Sequence, residues 1–148
     1  MADEDSKFEI SIKREGGYRF TVDFQMPRVE NLMVDEDPPL GKGEGPDPSR
    51  MIGAALLQCL SSSLIFCMDK SHARIDSLDG TATVRFGRNN EKRLRIAGID
   101  IEIDVGISDE EKSKLERCKP IFEKFCTVTE SVKAGIPVSL EIKTHKSD

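Results

Sequence analysis

The sequence predicts an α+β chain, and three observations carry that prediction. Segments of alternating polar and apolar residues open the chain, fill its middle third and recur near its end. An uncharged run, Met51–Met68, is long enough for about five turns of helix. Shorter helical segments, bounded by Ser108, Pro120 and Gly135, stand between the last strands. The chain has 148 residues, no internal repeat and no linker, so residues 1–148 read as a single domain.

Taken in order, "KFEISIKREGGYRFTVDF" (7–24) reads as a hairpin turning at Gly16-Gly17. Phe8, Ile10 and Ile12 alternate on one strand; Phe20, Val22 and Phe24 alternate on the other. Alternation then stops in "MPRVENLMVDEDPPLGKGEGPDP", a long Pro-, Gly- and acid-rich loop over 28–47. Asp47 suits the N-cap of the central helix and Pro48 its first position, where a missing N–H costs nothing. This helix, running to about His72, is apolar nearly all round and so should be covered on several sides. "SLDGTATVRFG" (77–87) and "KRLRIAGIDIEIDVGI" (92–107) form the next strands. Ser108 and Glu111 have the spacing of a capping box for a second helix, which Pro120 should end. A third helix over about 129–134 stops at Gly135. "IPVSLEI" (136–142) returns as a last strand, and 143–148 is a solvated tail.

Composition narrows the functional classes. Charged residues make up 33% and the formal net charge is -5, with no Lys/Arg block, no Trp and one Tyr. Neither a phosphate-tracking surface nor a stacking platform is present, which argues against nucleic acid. The acidic start "MADEDSKFEIS" is unlike a secretory signal, so the expected location is cytoplasmic, with reduced thiols and no disulfide framework. Met51–Met68 reaches the length of a membrane span, but at roughly 27 Å against a hydrocarbon core of about 30 Å. It also holds Gln58 and Ser61–Ser63. It reads as a core helix, with no membrane partner.

The four cysteines stand in two C-x7-C intervals, Cys59/Cys67 and Cys118/Cys126. Eight residues of helix separate Cys59 from Cys67 by about 12 Å of rise and about 80° of rotation. A disulfide needs Cα atoms within about 7 Å, so these two cannot pair. Cys126 stands just before a short helix whose N–H groups favour a thiolate. Cys67 and Cys118 read as packing residues, and the equal intervals as incidental. Zinc ligands come in closer pairs, so no metal and no cofactor is expected. His72 is 13 residues beyond Cys59, about 20 Å along a helix; it reads as a helix-end residue interacting with the dipole.

The order of these features resembles the osmotically inducible protein C / organic hydroperoxide resistance (OsmC/Ohr) family. The resemblance rests on "DPSRMIGAALLQC" (47–59), where Pro48 and Cys59 match a motif of the type N-P-E-E-L-x-x-A-x-x-x-x-C. It rests also on "CTVT" (126–129), in the place of C-P-V-S, and on "DEDPPLGKGEGPDP" upstream. It implies an OsmC/Ohr-like fold with antiparallel-rich sheets packed on a long central helix, in an intertwined homodimer. The implied activity is thiol-dependent reduction of an organic hydroperoxide substrate. Cys59 would be the peroxidatic thiol, Cys126 the resolving thiol, and a dithiol reductant would recycle the pair.

The chain departs from this pattern next to Cys59. Ser49 and Arg50 stand where the family has a glutamate, and Val29–Ser49 lacks the arginine that activates the thiol in the family's peroxidases. Arg50 or Arg28 is the substitute cation, with Asp35, Glu36 or Asp37 as its acidic partner. The alternative function is a diverged OsmC-like protein that binds a small apolar or oxidised-sulfur ligand with little peroxidase activity.

Overall fold

The first strands form because Gly17 takes φ +56°, a turn conformation open to glycine. In the computed structural model, which describes residues 2–147, β1 (Ser11–Gly16) pairs antiparallel with β2 (Arg19–Asp23). Met1 of the acidic start and Asp148 of the tail lie outside the described residues. Ile12 faces Val22 and Arg14 faces Phe20 across the ladder, so the apolar sets of both strands share one face. Lys7–Ile10, expected in the hairpin, precede the strand and are exposed.

The long loop is more ordered than its composition predicts. Leu32–Val34 form β3, which pairs with Val22, Thr21 and Phe20 and makes β2 the central strand. The Asp35 carboxylate is buried and accepts the backbone N–H groups of Glu36 (2.8 Å), Lys42 (3.1 Å) and Glu44 (3.2 Å). Three donors on one carboxylate turn a Pro/Gly-rich stretch into a compact loop.

α1 (Pro48–Lys70) begins where expected. The Asp47 carboxylate accepts the N–H and hydroxyl of Ser49 at 3.2 and 2.7 Å, and its carbonyl accepts the N–H of Met51. The helix ends two residues early, because His72 takes φ +55°. The Ala73 N–H then reaches the Met68 carbonyl and the His72 N–H the Asp69 carbonyl, a Schellman closure. His72 is thus the left-handed residue past the helix, not a residue of its last turn.

β4 (Ser77–Arg88) and β5 (Leu94–Gly106) form a two-stranded sheet, closed by the turn in which the Asn89 N–H bonds the Arg93 carbonyl. A 3-10 turn over Asp109–Glu111 leads into α2 (Lys112–Cys118). The Ser108 side chain makes no cap bond, so the expected capping box does not form. α2 stops before Pro120 as predicted, and a 3-10 turn (Phe122–Phe125) precedes α3 (Thr127–Ala134), which Gly135 ends at φ +78°.

The predicted last strand is absent. Residues 135–147 carry no secondary structure, and Val138, Leu140 and Ile142 are 90, 84 and 80% exposed. Their alternation is strand-like, but no strand within the described chain pairs with them.

The chain falls into two compact units. One holds the chain up to Ala54 with Val84–Ile99; the other holds Ala55–Thr83 with the chain from Asp100 onward. In the second unit Leu64, Cys67, Met68, Ala73 and Cys118 form a core, flanked by Leu78, Ile103, Val105, Leu115 and Phe122. Gly80 of β4 admits Leu57 of α1 so closely that a Cβ there would lie 2.7 Å from its Cδ1. α1 is long and apolar enough, by length and composition, to cross a membrane, and 39% of its most apolar window is buried. Leu56, Leu60, Leu64 and Met68 form a single buried stripe, whereas Ile65 and Phe66 stay exposed. The expected cover on several sides is therefore not supplied within one chain.

Candidate redox site

Two segments of the second unit carry the cysteines. α1 presents Cys59 and, two turns later, Cys67. The stretch from α2 to α3 presents Cys118 and then Cys126. Cys67 and Cys118 form a disulfide with Cα atoms 6.0 Å apart, closing a sequence separation of 51. Cys59 and Cys126 are free thiols that interact side chain to side chain. The reading of Cys67 and Cys118 as simple packing residues is corrected: they pack in the core and are also bonded. The expectation of reduced thiols throughout fails at this pair: α1 and α2 bring the two sulfurs together, and burial shields the bond once formed.

Cys126 is the N-cap of α3 and is fully buried. Its Sγ lies 2.9 Å from Thr129 Oγ1 in a hydrogen bond. Burial pushes the Cys126 thiol up, but hydrogen bonds with Cys59, with the Thr129 hydroxyl and N–H, and with Ser63 outweigh it and hold the group below the usual thiol range. Cys59 is half-buried. Burial and the neighbouring Cys126 push its thiol up, against weaker help from the N–H groups of Val128 and Thr129. The pair therefore shares the α3 N-terminus, with Cys126 buried and the better access at Cys59.

Ser63 and Thr129 belong to this site although the sequence reading gave them no role. Their signals were present: Ser63 follows Cys59 by four residues, hence on the same helix face, and Thr129 stands three past Cys126, at the helix position that faces an N-cap side chain. Phe66, seven residues past Cys59, packs against Phe125 with ring centroids 6.2 Å apart, and Lys70 Nζ lies 5.4 Å from the Phe66 ring centre.

The candidate activating groups lie in the first unit. Arg50 donates to Asp37 at 2.7 Å and to Asp47 at 2.6 Å. Hydrogen bonds from Ser49 and Arg50 outweigh burial at Asp47 and depress its carboxyl to about 2. Asp35 is occupied by backbone N–H groups, and Arg28 is exposed with no hydrogen bond or ion pair among the described residues. The groups that most perturb Cys59 are Cys126 and the N–H groups of Val128 and Thr129, all in its own unit. Among the described residues no group of three or more His, Cys, Asp or Glu is placed to hold a metal ion.

A profile of the OsmC-like protein family matches residues 41–141, a span that includes both free thiols. The chain belongs to the OsmC-like family. No curated protein matches it. Solved structures share the OsmC-like fold at low identity. An OsmC-like protein of unknown function from Vibrio cholerae is 17% identical with a TM-score of 0.73, covering 86% of this chain and 94% of that one. An organic hydroperoxide resistance protein OsmC from Legionella pneumophila is 15% identical with a TM-score of 0.62, covering 88% and 92%. An organic hydroperoxide resistance protein from Elizabethkingia anophelis, with thiocyanate bound, is 18% identical with a TM-score of 0.61, again covering 88% and 92%.

Proposed function

We propose that this OsmC-like protein reduces organic hydroperoxides, with Cys59 attacking and Cys126 resolving. The observation that carries the reading is the meeting of two free thiols at the N-terminus of α3. The names of its structural relatives from Legionella and Elizabethkingia agree with it. Cys126, which interacts with Cys59 side chain to side chain, acts as the base: its thiolate takes the Cys59 proton. Cys59 Sγ then attacks the terminal peroxide oxygen and the O–O bond breaks. The departing alkoxide takes the proton from Cys126 and leaves as the alcohol, while Cys59 becomes a sulfenic acid. The Cys126 thiolate attacks that sulfur and expels hydroxide, forming a disulfide. A dithiol reductant restores both thiols and is itself oxidised to a disulfide.

The working form in this reading is a cytoplasmic homodimer. The exposed apolar alternation of Phe8, Ile10 and Ile12, and of Val138, Leu140 and Ile142, supports a second copy as the missing cover.

One equivalent of cumene hydroperoxide should yield a Cys59–Cys126 linkage by peptide mass spectrometry, with one equivalent of cumyl alcohol. Cys59→Ser should abolish consumption, and Cys126→Ser, lacking both the base and the resolving thiol, should consume peroxide more slowly and stop at a sulfenic acid that dimedone traps. Two untouched thiols after peroxide would sink the reading. The raised Cys59 thiol, with Arg50 held by Asp37 and Asp47, favours a second reading: a diverged member that binds an apolar or oxidised-sulfur ligand with little turnover. Saturable binding without alcohol formation would select it.

A further inference from the structure

The two C-x7-C intervals run in opposite directions along the fold. Cys59 meets Cys126, and eight residues further along α1 Cys67 meets Cys118, eight residues before Cys126. Equal spacing on two antiparallel segments makes both contacts possible at once, a cysteine ladder of two rungs. We propose that the Cys67–Cys118 disulfide is a buried positioning staple that fixes the register of residues 118–126 on α1 and so delivers Cys126 to Cys59.

The segment being positioned cannot hold its own register. Between Cys118 and Cys126 only short-range turns form: the Ile121 N–H to the Cys118 carbonyl, Lys124 to Ile121, and Cys126 to Glu123. Pro120 prevents a continuous helix. Against α1 the further anchors are Phe122 in the core, Phe125, itself 58% exposed, on Phe66, and a long Ser71–Cys118 contact of 4.0 Å; the Glu123–Lys133 ion pair ties the segment only to α3. A covalent link at one end supplies the constraint that these contacts lack.

The staple is not a relay for the reactive pair. The rungs are separated by about 12 Å along α1, whereas disulfide exchange needs a thiolate in contact with the sulfur it attacks. Cys67 and Cys118 are only 7% and 1% exposed, which shields the bond from reductants in solution. Its formation removes one hydrogen from each thiol, and an organic hydroperoxide accepts them, yielding the alcohol and water. The inference concerns assembly of the Cys59–Cys126 pair and holds whether or not that pair turns over peroxide.

The test uses the full chain. In native buffer with dithiothreitol, alkylation and peptide mapping should label Cys59 and leave Cys67 linked to Cys118. Unfolding in the same reductant should release all four thiols. Diamide, which takes the two thiol hydrogens onto its azo group, should then link Cys59 to Cys126 at least tenfold more slowly in Cys67→Ala/Cys118→Ala than in wild type. A core variant of the first unit, Val22→Ala, should lower Tm yet keep the wild-type linking rate, which separates positioning from general destabilisation. Should the double variant not fold, wild type refolded in reductant and treated with diamide answers the same question, with the Cys67–Cys118 link expected first. Native protein whose Cys67 and Cys118 stay free under diamide, a double variant linking at the wild-type rate, or a Cys59–Cys126 link forming first on reoxidation would each overturn the staple.

Discussion

At Cys126 a buried sulfur is surrounded by groups that prefer it charged. Thr129, Ser63 and Cys59 hydrogen-bond it, and it heads α3. A hydrogen bond to a charged acceptor contributes about 1.5–3 kcal/mol, and about 1.4 kcal/mol corresponds to one pKa unit. Thr129→Val should therefore raise the Cys126 pKa. The pH profile of Cys59–Cys126 linking should move to higher pH, while Thr129→Ser retains the wild-type profile. Cys59 shows why motif matching alone does not describe the site. The matching residue is there, yet its thiol is pushed up by burial rather than down by a cation.

Among the elements, α1 illustrates how far local signals reach. Its start was legible because Asp47 and Pro48 satisfy terminal backbone groups by local geometry, and the carboxylate does accept from Ser49. Replacing the cap with Asp47→Ala should cost about 1 kcal/mol, read from chemical unfolding midpoints. The folded-state carboxyl is depressed to about 2, below its ordinary value. Its contribution is therefore complete above about pH 4 and lost as pH falls through about 2. Because Arg50 is largely solvent-exposed, this electrostatic part amounts to about 1 kcal/mol. Acid titration of wild type against Asp47→Ala should show the two stabilities converging below that range. β3 was not legible, since three residues in a Pro/Gly-rich loop carry no usable period; they become a strand because β2 offers a free edge. The Ser108 capping box failed for the converse reason, since a local pattern permits a bond that the 3-10 entry to α2 does not use.

For the whole molecule, the staple and the exposed strand-like segments dominate. A cross-link over 51 residues removes chain entropy worth about 4 kcal/mol in the unfolded state. Cys67→Ala/Cys118→Ala should accordingly lower Tm by on the order of 10 °C in a thermal melt. Leu140→Asp places a charge in the exposed apolar alternation of the C-terminal segment. If a second copy covers that segment, wild type should sediment as a dimer in analytical ultracentrifugation and Leu140→Asp as a monomer. A wild-type monomer would remove the homodimer from the proposed function.

The α+β class, the start of α1, the break at Pro120 and the stop at Gly135 were determined by the sequence itself, because each follows from hydrophobic period or backbone chemistry within a few residues. Candidate residues Cys59 and Cys126 were legible too, through spacing and family resemblance. The resemblance already implied that Cys59 works with Cys126; that Cys67 bonds Cys118 was decided only by the tertiary structure. The equal C-x7-C intervals look incidental along the chain and become a ladder once residues 118–126 run back along α1. That pairing is long-range, set by the packing of Leu64, Met68 and Phe122 around the bonded pair, and no local period encodes it.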